Sequence, residues 1–257
     1  VTHAPSGPGP KLFARYAYAP NELGYCGPAE AASMFELGAT GSTGADVVAL
    51  ARRFHGAWPY LTTLAELAGL DDPLDERVVR AYWIGGPLLR EVDQLRFGER
   101  LLATIGSQAG HYWQHLTDSL VTEASATHGF HVFGVYPWTR LLSSGPAEQP
   151  LYVLDNCRIR WGRVVARDGD HVIARSRRLT WNGRRLGLSP AGRERVRIVV
   201  EGAGFVPDAG PGDWLALHWD WACDRLSPAD VARLRYWTRW QLRATNLRLA
   251  DEDGVED

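Results

Sequence analysis

Residues 143–150, SSGPAEQP, are a turn-rich stretch without apolar periodicity, and the chain follows different patterns on its two sides. Ahead of it, residues 28–37, 46–54, 60–68, 74–83, 88–97 and 101–122 carry apolar side chains at helical spacing, punctuated by Gly and Pro. Behind it come short β-like runs at 163–166, 171–176, 179–181, 195–200 and 214–219, divided by Asp168-Gly169-Asp170, Asn182-Gly183 and Pro211-Gly212-Asp213. Asn-Gly is a favoured two-residue hairpin turn because both residues accept positive φ. Ser227-Pro228 then opens a closing helix, with Ser as N-cap and Pro at the first position, where a missing N–H costs nothing. The expected fold class is α+β: a mainly helical domain over 1–145, then a small β-barrel with a C-terminal helix over 151–250. Residues 127–142 stay open between a strand through Phe130, Val132 and Val135 and a short helix from Trp138.

The chain has 257 residues, 45% hydrophobic and 23% charged, enough to bury a core in one large domain or two ordinary ones and too apolar for extended disorder. Its apolar runs fall short of the roughly 18 residues that span a bilayer, so no membrane partner is expected. The first ten residues are rich in Pro and Gly, without a basic start or an apolar stretch, and do not read as a signal peptide; a cytoplasmic location is expected. Cys26, Cys157 and Cys223 are too few and scattered for a disulfide framework and suit a reducing compartment. A net charge of −2 hides an asymmetry: residues 1–150 carry 10 basic and 15 acidic side chains, residues 151–257 carry 18 and 15.

Residues 157–175 read CRIRWGRVVARDGDHVIAR, and residues 212–234 read GDWLALHWDWACDRLSPADVARL. Together they resemble the HypC/HupF family of [NiFe]-hydrogenase maturation chaperones. Cys157 and Gly162 keep the family spacing, Gly212 and Asp213 match its Gly-Asp turn, and His218 matches its strand histidine. Two positions differ: Cys157 is internal, behind Asn156, where the family cysteine follows the initiator Met, and Trp161 replaces the family's Pro. The resemblance implies an OB-like barrel that brings Cys157 and His218 together, Cys157 being the iron-binding or precursor-binding thiol. It also implies the cargo, an iron bearing CN and CO ligands and bound transiently, and the partners, a HypD-like metallochaperone or a hydrogenase large-subunit precursor. Such a protein is an assembly factor rather than an enzyme. Residues 1–150 lie outside the resemblance.

Read without the family, a thiolate is the soft ligand iron accepts, and nearby positive charge makes it more available. On an extended segment Arg158 and Arg160 would share one face opposite Cys157, Ile159 and Trp161, and Arg158, Arg160 and Trp161 are expected on the barrel surface. The plainer reading makes Cys157 and Cys223 small packing residues and His218 a core histidine bonded to backbone. A second donor set lies in the helical half. His111 and His115 share a helix face at i, i+4, His128 and His131 follow in THGFH, and Cys26 sits in GYCGP before a helix expected to start at Pro28, where the macrodipole favours a thiolate. These residues support a rival reading, a metal- or haem-dependent enzyme. A further rival is an OB-type single-stranded nucleic-acid binder, from 12 Arg against 4 acidic residues between 156 and 205, with Trp161 and Trp181 as stacking platforms. The domain as a whole is only mildly basic, which leaves nucleic acid the weaker partner.

Overall fold

The computed structural model describes residues 7–108 and 118–253, and the architecture is α+β. The chain opens with α1 (Pro8–Glu22), for which the sequence pattern gave no element. Leu12, Phe13, Ala14, Tyr16, Ala17, Tyr18 and Ala19 are all buried, so α1 is covered on several sides and lacks the one-sided stripe that periodicity detects. It is followed by α2 (Ala31–Thr40), α3 (Val47–Arg52), α4 (Trp58–Leu67), α5 (Glu76–Ile84) and α6 (Gln94–Gln108). Residues 88–97, expected as one helix, divide into a 3-10 turn at Pro87–Arg90 and the start of α6. The open segment 127–142 is helical apart from the extended Thr127 and Tyr136: α7 (His128–Phe130), a π-turn at His131–Val135 and a 3-10 turn at Pro137–Leu142. The turn-rich stretch gives way at once to α8 (Glu148–Cys157).

Strands follow as β1 (Arg160–Asp168), β2 (His171–Ser176), β3 (Leu179–Trp181), β4 (Leu186–Leu188), β5 (Gly192–Arg197), β6 (Trp214–His218) and β7 (Trp221–Arg225), before the closing helix α9 (Pro228–Asp253). Five of them close on themselves in the order β1-β2-β5-β7-β6, while β3 and β4 form a separate hairpin. Pairing round the ring is antiparallel except between β5 and β7, which meet in parallel at Arg197 and Trp221. The ring encloses Val164, Val172, Ala174, Val196, Leu215 and Leu217.

Side chains alternate across a strand, so the outer face of the ring carries a different set. In β6, Leu215 and Leu217 point into the ring, while Ala216 joins the larger core outside it. His218 keeps that parity and faces α1. In β7, Ala222 lies inside, and Trp221 and Cys223 lie outside. Cys223 is a packing residue, fully buried. The outer core runs without interruption from Phe13 and Tyr82 in the helices to Trp221 and Leu234 behind the strands. Among the described residues, no helix is long and apolar enough to cross a membrane.

Candidate metal centre

Helix α8 runs into β1 almost directly, and its last residue is Cys157. The helix stops because Arg158 turns extended, at φ −67° and ψ 146°, while its N–H still closes on Leu154. Buried ion pairs fix that bend. The Asp155 carboxylate accepts from the Leu179 N–H at 2.8 Å and from Arg158 at 2.9 and 3.1 Å. Burial alone would raise the Asp155 carboxyl, but Arg158, Arg160, the Leu179 N–H and Arg178 together hold it below its usual range. Arg160 donates to the carbonyls of Asp155 at 3.0 Å and Trp219 at 2.6 Å and pairs with Glu194 at 3.3 Å. One guanidinium thus ties the end of α8, which carries Cys157, to the β6–β7 turn that follows His218.

His218 has no exposed surface, and its Nδ1 lies 2.7 Å from the carbonyl oxygen of Tyr16. That carbonyl is available because of Pro20. A helical carbonyl normally accepts from the N–H four residues on; Pro20 lies inside α1 and has no N–H to give. Nδ1 therefore donates to Tyr16, and Nε2 keeps its lone pair, buried and without a hydrogen-bond partner. A buried, unpartnered imidazole nitrogen whose other N–H is held by a backbone carbonyl is the arrangement metal-binding histidines adopt.

His128 starts α7. Its Nε2 is 2.9 Å from the Cys157 carbonyl oxygen and 3.9 Å from Cys157 Sγ, and its Nδ1 is 2.9 Å from the Tyr82 hydroxyl. With Nε2 protonated, the ring donates to Cys157 and accepts from Tyr82. Moving that proton to Nδ1 frees Nε2 for a metal and leaves Tyr82 as acceptor, at the cost of one hydrogen bond, about 1 kcal/mol. Burial pushes His128 down to about 4 despite the carbonyl contact, and pushes His131 and His218 well below the ordinary histidine range. It pushes the Cys157 thiol up. At neutral pH the group is two neutral imidazoles and one neutral thiol, and an ion would displace the thiol proton.

Candidate ligand atoms of His128, Cys157 and His218 all lie within 4.8 Å of one another. Small side-chain rotations bring that set within reach of one ion with bonds of roughly 2.0–2.3 Å. Sulfur and imidazole nitrogen suit zinc, iron or copper rather than magnesium or calcium. Beside the donors lies a cavity of about 130 Å³, somewhat smaller than the roughly 150 Å³ that admits a benzene. Its lining also includes Cys26, His131 and Tyr136. Burial raises the Cys26 thiol to about 12. Trp83 packs over both ligand rings, 4.7 Å from His128 and 5.8 Å from His218. Trp219 stacks on Tyr25 at 4.2 Å beside the cavity, and its φ of 55° is a conformation that non-glycine residues rarely adopt.

The structure thus gathers Cys26, His128, His131, Cys157 and His218 round one cavity. His111 and His115 lie outside the described residues. Three expectations change. Arg158, Arg160 and Trp161 are not barrel surface: all are buried, because the arginines pair with Asp155 and Glu194 and Trp161 packs in the outer core. Cys157 is not on an extended segment but ends a helix, and it is only 8% exposed, so a partner protein cannot touch its sulfur in this conformation. Cys26 does not precede a helix at Pro28; α2 begins at Ala31, and the thiol is held protonated by burial. Sequence reasoning missed Tyr16, Pro20 and Tyr82, which aim the ligands; a proline inside a helix was the one signal available, and α1 itself was not foreseen.

Fold and site together define an α+β protein with a buried His/His/Cys donor set where helices meet the outside of a strand ring. The chain belongs to a family of unknown function, DUF6390, whose model matches residues 5–252. Neither the curated proteins nor the solved structures contain a match.

Proposed function

We propose that this protein is a cytoplasmic accessory factor in assembling the metal centre of a [NiFe]-hydrogenase, holding a transition metal through His128, Cys157 and His218. One observation carries the reading. Cys157 and His218 come from the two separate motifs that resemble HypC/HupF proteins, and their donor atoms fall within 4.8 Å of each other. The closed five-strand ring supports the OB-like part of the resemblance. His128 comes from outside the resembling region, so the helical half contributes a donor of its own. The iron with its CN and CO ligands is cargo in this scheme, and the hydrogenase precursor or a HypD-like metallochaperone is the partner.

This chain's own residues do three things. Tyr16 and Tyr82 orient the imidazoles, the aromatic walls surround the donors with apolar surface, and the buried thiol gives up its proton only when a cation arrives. With Cys157 buried, delivery requires the cavity to open beside Tyr25 and Trp219. The test is an anaerobic pull-down from cells expressing the hydrogenase. Wild type should retain iron and the large-subunit precursor, and Cys157→Ala should lose the iron. If wild type, purified without oxygen, carries neither metal nor precursor, the proposal fails.

A further inference from the structure

We infer that Cys26 is the fourth donor of this centre, completing a shell of two thiolates and two imidazoles round one ion. The inference rests on reading His128, Cys157 and His218 as a metal site. Three protein donors leave a bare tetrahedral ion, one that carries no CN or CO, one position short, and structural sites close all four. The fourth direction from the trio is the cavity, whose remaining walls are largely apolar: Pro20, Phe54, Ala57, Val153 and Trp138 offer no soft ligand. Two side chains there do, Cys26 and His131.

His131 is the worse placed. Its ring stacks 4.3 Å from Tyr136 and meets Tyr60 edge-on at 5.7 Å. Gly56 presses on it so closely that an added Cβ would lie 2.6 Å from its Cε1. The ring lies 5.6 Å from that of His128 and its Nδ1 is buried without a partner, but packed on those sides it turns less freely than a cysteine side chain. Cys26 has one short rotor, and its backbone is anchored so that rotor stays at the cavity. The Pro20 carbonyl accepts from the N–H groups of Tyr25 and Cys26 at 2.8 and 3.4 Å, and Asn21, buried in α1, donates to the Cys26 carbonyl at 2.9 Å. Gly24 and Gly27, with φ of +75° and +83°, make this tight turn possible. His218, whose buried Nε2 has no partner, lines the same cavity as Cys26. Cys26 stands outside the group whose donors lie within 4.8 Å, so it joins on metal binding by rotating inward. Its neighbours Tyr25 and Gly27 are exposed, which makes Cys26 the donor that can leave without disturbing the core.

Cobalt(II), loaded without oxygen into the full chain, tests this. Each thiolate bound to cobalt adds its own charge-transfer absorption, so wild type should show a two-thiolate band that falls to about half in Cys26→Ser while one cobalt per chain remains bound. Added azide should leave the wild-type spectrum unchanged and shift that of Cys26→Ser, whose fourth position is open. A Cys26→Ser band equal to wild type, or a wild-type spectrum that shifts with azide, overturns the role of Cys26 and leaves the trio standing. If wild type binds no cobalt, both readings fall; if Cys157→Ala alone abolishes binding, the trio holds and the Cys26→Ser comparison decides.

Discussion

The inner and outer faces of β6 differ in what they bury. Inside the ring, Leu215 and Leu217 meet Val172, Ala174 and Val196, and the packing is hydrocarbon on hydrocarbon. On the outer face, one residue further on, His218 meets Trp83 and His128, with an unpartnered ring nitrogen. Buried polar atoms without partners cost stability, and folds keep few of them. Among the described residues several buried side-chain atoms lack a partner; four of them, on Trp83, His131, His218 and Trp219, line the cavity and none belongs to the ring interior, which separates a face shaped for stability from a face shaped for a ligand.

The largest blow to that contrast falls on the scaffold joining the two faces. Asp155→Ala would leave Arg158 buried without its carboxylate, and removing one member of a buried pair costs roughly 3–5 kcal/mol. Urea unfolding of the metal-free chain should show the loss. A change under about 1 kcal/mol would mean that the Asp155 cluster is not what holds the end of α8. Next comes the ring interior: Leu217→Ala should cost roughly 2–5 kcal/mol. Folded Leu217→Ala should still bind one cobalt with wild-type affinity, since the residue points away from the site. Loss of affinity without loss of stability would reverse the assignment of the two faces.

Acid should separate the faces as well. The His128 imidazole protonates near 6.5 when exposed and near 4 when folded, so the unfolded chain binds the extra proton between those values. Stability from this group is complete above about pH 6.5 and is lost as pH falls towards 4, on the order of 3 kcal/mol, with His131 and His218 acting in the same direction. The metal-free protein should therefore lose stability over this range, and His128→Gln should flatten the slope. Leu217→Ala should lower the whole curve without changing its shape.

Much of this contrast was legible in the chain. Short β-like runs bounded by the turns at Asp168-Gly169-Asp170 and Pro211-Gly212-Asp213 gave the strands, because Gly and Asp at a turn punctuate the chain whatever the strands bury. Cys157 and His218 were legible through resemblance, and His128 and His131 through the clustering of histidines that begins at His111. The burial of Arg158 and Arg160 was not, since arginine's usual place is the surface and their partners Asp155 and Glu194 meet only after folding. β7 escaped because Trp221, Ala222 and Cys223 are buried on both sides and show no alternation. α1 escaped for the same reason, and with it the device that aims His218.

That device gives the smallest and sharpest test. Pro20 leaves the Tyr16 carbonyl without its helical donor, and His218 takes it at 2.7 Å. Pro20→Ala would restore an N–H four residues from Tyr16, which then competes with His218 Nδ1 for the same oxygen. The helix gains a backbone donor and a residue of far higher helix propensity, so the metal-free chain should unfold at equal or higher urea. The imidazole, no longer held in one tautomer and orientation, should bind cobalt about 10- to 100-fold more weakly, the usual cost of losing the group behind a metal-bound histidine. Tyr82→Phe, which removes the partner of His128 Nδ1, should weaken cobalt by a similar factor without stabilising α1. Opposite signs on stability and affinity in Pro20→Ala are what a proline kept for the site requires. If both fall together, Pro20 serves only the packing of α1, and the aim of His218 must come from the strand alone.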